Sequence, residues 1–247
     1  MDIAPTSLRG LMLDEAANAD ATMQRLGAEL VLLDRMDRTF ADFLSRRPDA
    51  MEGEGKYFVL ASLARIQILK SCANYVRLHI GDAYSASRLA ADAAFYATMI
   101  SLGHMSEEEY QRDFRKRNSL AKSIRRKIDS GEDFPPIVAA LLFVTKEHSA
   151  HAHADPISLA NRTRCDEQGV TISFFQDIED DKDLKYLFMG MLWVGSMCLK
   201  AFVDIAARDF GEDVSGFLAR LEAWKADILA HRRAIGIFRD VPDGAGF

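Results

Sequence analysis

Residues 187–199 read Leu-Phe-Met-Gly-Met-Leu-Trp-Val-Gly-Ser-Met-Cys-Leu, with no charge until Lys200. A helix without a polar face has to be surrounded, either by lipid or by the rest of the protein. Crossing a bilayer takes about 20 apolar residues, and this run ends after 13. It predicts the middle of a buried core helix over residues 183–208, with no stable membrane insertion. Residues 57–80 make the same demand, being apolar on nearly every face except at Arg65, Lys70, Asn74 and Arg77. Two such helices need a shell of others around them, so the chain is expected to be all-α, a bundle of about seven helices.

The remaining pattern supplies that shell. Met23, Leu26, Leu30, Leu33, Phe40 and Leu44 recur at three-and-four spacing and predict a helix over 14–44. Pro48 and the glycines at 53 and 55 form a loop before 57–80, which Gly81 is expected to end, with Asp82 capping the next helix. That helix, 83–102, is rich in Ala and Ser. Its small side chains let neighbours approach closely, which places it in the middle of the bundle. Ser106 and Glu109 have capping-box spacing and open a charged helix that runs to Gly131. Pro135 and Pro136 start an apolar helix over 137–151, Asp155-Pro156 precedes a short helix near 158–164, and a last amphipathic helix covers 213–234. Only 169–175 alternates in the manner of a strand, and 236–247 reads as a tail.

With 49% hydrophobic and 28% charged residues, the 247-residue chain has a globular composition, and 1–247 is expected to be one domain. A net charge of −6 gives no global attraction to nucleic acid or anionic lipid. Cys72, Cys165 and Cys198 lack CxxC spacing and are expected to be reduced thiols. The first twenty residues carry Asp2, Asp14, Glu15 and Asp20 with no apolar run, unlike a signal peptide, so a cytoplasmic protein is expected. Nucleophile-elbow, Walker and dinucleotide glycine motifs are absent, and no cofactor is expected.

Three groups of residues could carry chemistry. Glu147, His148, His151, His153 and Asp155 hold three of the six histidines. Glu147 with His151 (i,i+4) and His148 with His151 (i,i+3) share helical faces and could hold zinc or iron, although HExxH is absent. Alternatively Asp155 caps a helix and the histidines sit at a helix C-terminus, where positive charge is favoured. Arg88 and Asp92 lie one turn apart on the Ala-rich helix. They either form an internal ion pair or hold Arg88 toward a cleft shared with His153, where it would bind an anion or phosphate. Arg112, Arg115, Lys116, Arg117, Lys122, Arg125, Arg126 and Lys127 put eight cations in sixteen residues, with Arg115, Lys122, Arg125 and Arg126 the candidates for RNA phosphates. The same helix also reads as a solvated face, with Glu108–Arg112 and Asp113–Arg117 at ion-pair spacing.

Arg88-Leu-Ala-Ala-Asp92, followed by Ser149-Ala-His151-Ala-His153-Ala-Asp155-Pro156, resembles a group of uncharacterised bacterial helical proteins that are distantly similar to the HEPN superfamily of RNases and abortive-infection proteins. The resemblance spans 57–175. It implies an all-α fold, work in defence or stress response, and Arg88 and His153 as the positions that carry over. The HEPN signature of Arg followed four to six residues later by His is absent. Three functions are therefore expected: a HEPN-like protein, a homodimer among its possible assemblies, that binds RNA or a phosphate ligand; a non-enzymatic interaction or regulatory module; or a metal-dependent helical enzyme centred on residues 147–155.

Overall fold

A computed structural model describes residues 8–46, 55–152, 163–166, 169–172 and 178–237. Among them are nine helices: α1 (Leu8–Arg25), α2 (Gly27–Ser45), α3 (Gly55–Val76), α4 (Ile80–Ser101), α5 (Glu107–Arg112), α6 (Phe114–Asp129), α7 (Pro136–Ala152), α8 (Asp181–Phe210) and α9 (Ser215–Ala234). A two-stranded antiparallel ribbon, β1 (Thr163–Asp166) with β2 (Gly169–Ile172), pairs Cys165 with Val170. The fold is all-α, as the periodicity predicts. The strand-like alternation starts where β2 does, but residues 163–164 pair as strand instead of ending a helix, because the alternating segment recruits them as its partner.

Helix α8 is the axis of the bundle. Asp180 starts it by accepting from the backbone N–H groups of Lys182 (2.6 Å) and Asp183 (3.1 Å), and Gly211 stops it at φ 64°. By length and composition α8 could cross a membrane, with a mean hydropathy of 1.5 over 18 residues, yet 72% of that window is buried by the protein itself. Alanine positions explain how α4 reaches the centre: Ala83, Ala90, Ala91, Ala94 and Ala97 are all inaccessible and let α4 lie against α3, α7 and α8. Tyr75, Leu199 and Phe202 join Ala90 and Ala94 in the same core, with Val76 and Trp193 packed on its edge.

Several boundaries differ from expectation. The first helix is two helices, starting at Leu8 and interrupted at Leu26, just before Gly27. Of the expected seam, Leu26 and Phe40 are buried and Leu30, Leu33 and Leu44 pack against the core, whereas Met23 is exposed; Leu32, Met36 and Phe43 are buried beside them. Leu78, not Gly81, turns the chain between α3 and α4 at φ 65°. A left-handed conformation costs an L-residue about 1–2 kcal/mol, and burial of the Leu78 side chain, 8% exposed, offsets it. The capping box forms as expected, Glu109 N–H donating to Ser106 Oγ (3.1 Å) and Ser106 N–H to Glu109 Oε2 (2.9 Å). The charged helix nevertheless breaks at Asp113, whose side chain caps α6 by accepting from Lys116 N–H at 2.9 Å. The Arg117 guanidinium, expected to pair with Asp113, lies over the Tyr110 ring at 5.2 Å. At the start of the expected tail Ile237 belongs to the fold, buried and with its N–H donating to the Arg232 carbonyl at 2.9 Å, while 238–247 lie outside the described residues.

Candidate functional site

A cavity of about 570 Å³ lies between α4, α7, α8 and α9. Small-molecule sites occupy about 300–1,000 Å³ and are mainly apolar with a few polar groups. A void by Tyr57 and Phe210, of about 10 Å³, holds no more than a water. That void is far smaller than the cavity.

The local sequence keeps the space open. Ala139 and Ala140 of α7 present short side chains to it, and Gly190 lies opposite on α8. A Cβ built on Gly190 would meet no atom within 4 Å. Glycine inside a helix costs about 1 kcal/mol relative to alanine, so neither packing nor helix stability accounts for this exposed residue, and its lack of a side chain widens the cavity mouth. By contrast, a Cβ on Gly195, five residues on, would stand 2.5 Å from Met36 Sδ and 3.1 Å from Ile68 Cγ2. That glycine is explained by the close approach of α8 to α2 and α3.

Polar groups line part of the wall. Tyr84 and His148 rings meet edge to face at 4.8 Å, and the Arg232 guanidinium lies over the Tyr186 ring at 5.4 Å. Burial, with Tyr186 nearby as a lesser cause, pushes the Tyr84 hydroxyl up to about 12, so it keeps its proton and remains a donor. Arg232 is 8% exposed. Phe143, half exposed, marks the solvent side. Glu147 and His148, singled out as metal ligands, both line this cavity. Among the described residues no three His, Cys, Asp or Glu side chains converge so as to hold a metal ion. The side chain of His151, and His153 and Asp155 altogether, lie outside the described residues.

Arg88 and Asp92 do come together, Nε to Oδ2 at 3.6 Å, both half-buried. Asp92 also accepts from Thr145 Oγ1 of α7 at 3.1 Å, a partner the sequence did not suggest. Burial raises the Asp92 carboxyl from its ordinary value, against the opposing pull of Arg88 and the Thr145 hydrogen bond.

The cations of α5 and α6 divide by partner. Arg112 pairs with Glu108 (2.6 Å), Lys116 with Glu109 (2.6 Å) and Lys127 with Glu132 (3.0 Å). Arg125 turns inward and donates to the Leu142 carbonyl at 3.4 Å, which separates it from the three candidates beside it. Arg115, Lys122 and Arg126 are exposed, and their spacing of seven and four residues puts them on one face.

Gly190, Tyr84, Tyr186, Trp193 and Arg232 were not suggested by the sequence as site residues. They come from α4, α8 and α9, and only the glycine, placed inside an apolar helical run, carried a local signal. No family model, curated protein or solved structure matches the chain.

Proposed function

We propose that the protein is a regulatory binding module that takes up one small, largely apolar molecule in the cavity between α4, α7, α8 and α9. The supporting observation is Gly190, an exposed mid-helix glycine that lines the cavity and at which an added Cβ would meet no atom within 4 Å. The test is titration with a neutral, environment-sensitive naphthylamine dye, followed by its emission and by quenching of Trp193 in the cavity wall. Gly190→Phe fills the space, so dye affinity should fall by about tenfold or more while the melting temperature holds or rises. Equal dye binding by parent and Gly190→Phe would overturn the proposal.

Helix α6 carries a second candidate function, RNA binding, favoured by Arg115, Lys122 and Arg126 standing on one exposed face while their neighbours are paired. The HEPN-like resemblance points the same way. Reversing all three charges to Glu should abolish binding of single-stranded RNA. Reversing one should lower the steepness of log K against log salt by about 0.7. RNA affinity equal in parent and triple variant, measured by anisotropy, would remove α6 from any such role.

A further inference from the structure

The basic surface of α6 continues onto α7. The short connection 130–135 makes the two helices antiparallel neighbours, and the donation from Arg125 to the Leu142 carbonyl sets their register. One turn further along α7 from Leu142, Lys146 therefore stands level with the turn of α6 that carries Ala121 and Lys122. Lys146 is exposed, as are Arg115, Lys122 and Arg126, and among the described residues none of these four side chains is held by an ion pair or a hydrogen bond. Along α6 the three cations span about 16 Å at 1.5 Å rise per residue. Exposed Asp129 ends the track on its C-terminal side.

An aromatic ring stands beside this track. Phe143 is 52% exposed and follows Leu142 directly, so it lies at the level where Arg125 crosses to α7. Packed helices lie about 8–10 Å apart, a gap that one nucleotide can bridge from the α6 cations to the ring. A paired A-form helix keeps its bases stacked inside and would offer this ring only sugar and phosphate. An unpaired strand can instead lay a base on it, and stacking of this kind tolerates any base because each has a π-face. An anionic bilayer fits less well, since lying on a membrane takes a broad apolar face. Among the described residues of α6 and α7, Phe143 is the one large hydrophobic side chain that is exposed.

Resting on the RNA-binding reading of α6 given above, we infer that the RNA taken there is single-stranded. Its phosphates follow Arg115, Lys122 and Arg126 along α6, Lys146 adds a further phosphate contact from α7, and one unpaired base lies on the Phe143 ring. The cations supply salt-dependent affinity, and the ring supplies the preference for an unpaired strand.

The test measures, by anisotropy on the full chain, binding of a labelled oligouridylate of about 12 nucleotides and of an RNA duplex of the same length. The single strand is expected to bind about tenfold more tightly. Phe143→Ala should weaken the single strand by about tenfold and leave the duplex as it was. Phe143→Trp should keep or strengthen single-strand binding, which a merely structural role would not give. Lys146→Ala should lower the steepness of log K against log salt by about 0.7. Both positions are exposed, so melting temperatures should match the parent. Equal affinity for strand and duplex, both lost on reversing Arg115, Lys122 and Arg126, would overturn the single-strand assignment while the α6 reading stands. Strand affinity unchanged by Phe143→Ala, or salt dependence unchanged by Lys146→Ala, would do the same. No RNA binding by the parent, or binding indifferent to the charge reversal, would overturn the α6 reading and this inference with it, as would binding to phosphatidylglycerol vesicles in place of RNA.

Discussion

At the scale of single residues, two glycines of α8 should respond oppositely to the same change. Gly190→Ala places a methyl in open space and gains helix propensity, so it should stabilise by up to about 1 kcal/mol. Gly195→Ala forces Met36 and Ile68 apart and should destabilise by about 1–3 kcal/mol. Chemical denaturation of the two variants checks both signs. Asp92 makes a separate prediction, about pH. Its folded-state pKa is raised by burial, so between the unfolded and folded values the folded state holds more protons and stability falls as pH rises. Asp92→Asn mimics the protonated form. The melting temperature of the parent relative to Asp92→Asn should therefore decline from acid toward neutral pH, and a difference that is flat or rises with pH would contradict this. The Arg88–Asp92 pair could be read from its i,i+4 spacing, but Thr145 could not, because nothing local to residue 145 tells which helix it faces.

At the scale of elements, α4 shows why small residues matter. Its alanines have no packing role in a solvated helix, yet here Ala90 and Ala94 are completely enclosed. Ala90→Leu should overpack the contact with neighbouring helices and lower stability by about 1–3 kcal/mol, read as a reduced melting midpoint. An unchanged midpoint would mean that α4 yields more easily than its burial indicates. The position of α4 was legible because an Ala-rich stretch with few charges has little use on a surface. The division of the charged helix into α5 and α6 was not. Asp113 reads equally well as an ion-pair partner of Arg117 and as a cap for Lys116 N–H, and the capping hydrogen bond is visible only in the structure.

At the scale of the whole molecule, one apolar cluster takes residues from α2, α3, α4, α7, α8 and α9. Such continuity predicts a single cooperative transition. Trp193 reports the cavity wall, while Trp224 reports the α2–α9 contact by donating Nε1–H to the Leu32 carbonyl at 2.9 Å. Their fluorescence should lose native character at the same denaturant concentration at which helical circular dichroism does, and two separated midpoints would show that α9 detaches independently. The sequence by itself determined the all-α class, the enclosure of α8 and the central place of α4. Each follows from how many faces of a helix are apolar, a property carried by near neighbours along the chain. The tertiary structure alone decided that Tyr84, Glu147, Tyr186, Gly190 and Arg232 border one cavity, and that Arg125 turns from solvent while Arg115, Lys122 and Arg126 do not. The physical reason is that helix periodicity specifies which face is buried but not which partner covers it, and a cavity exists only where the partners fail to meet.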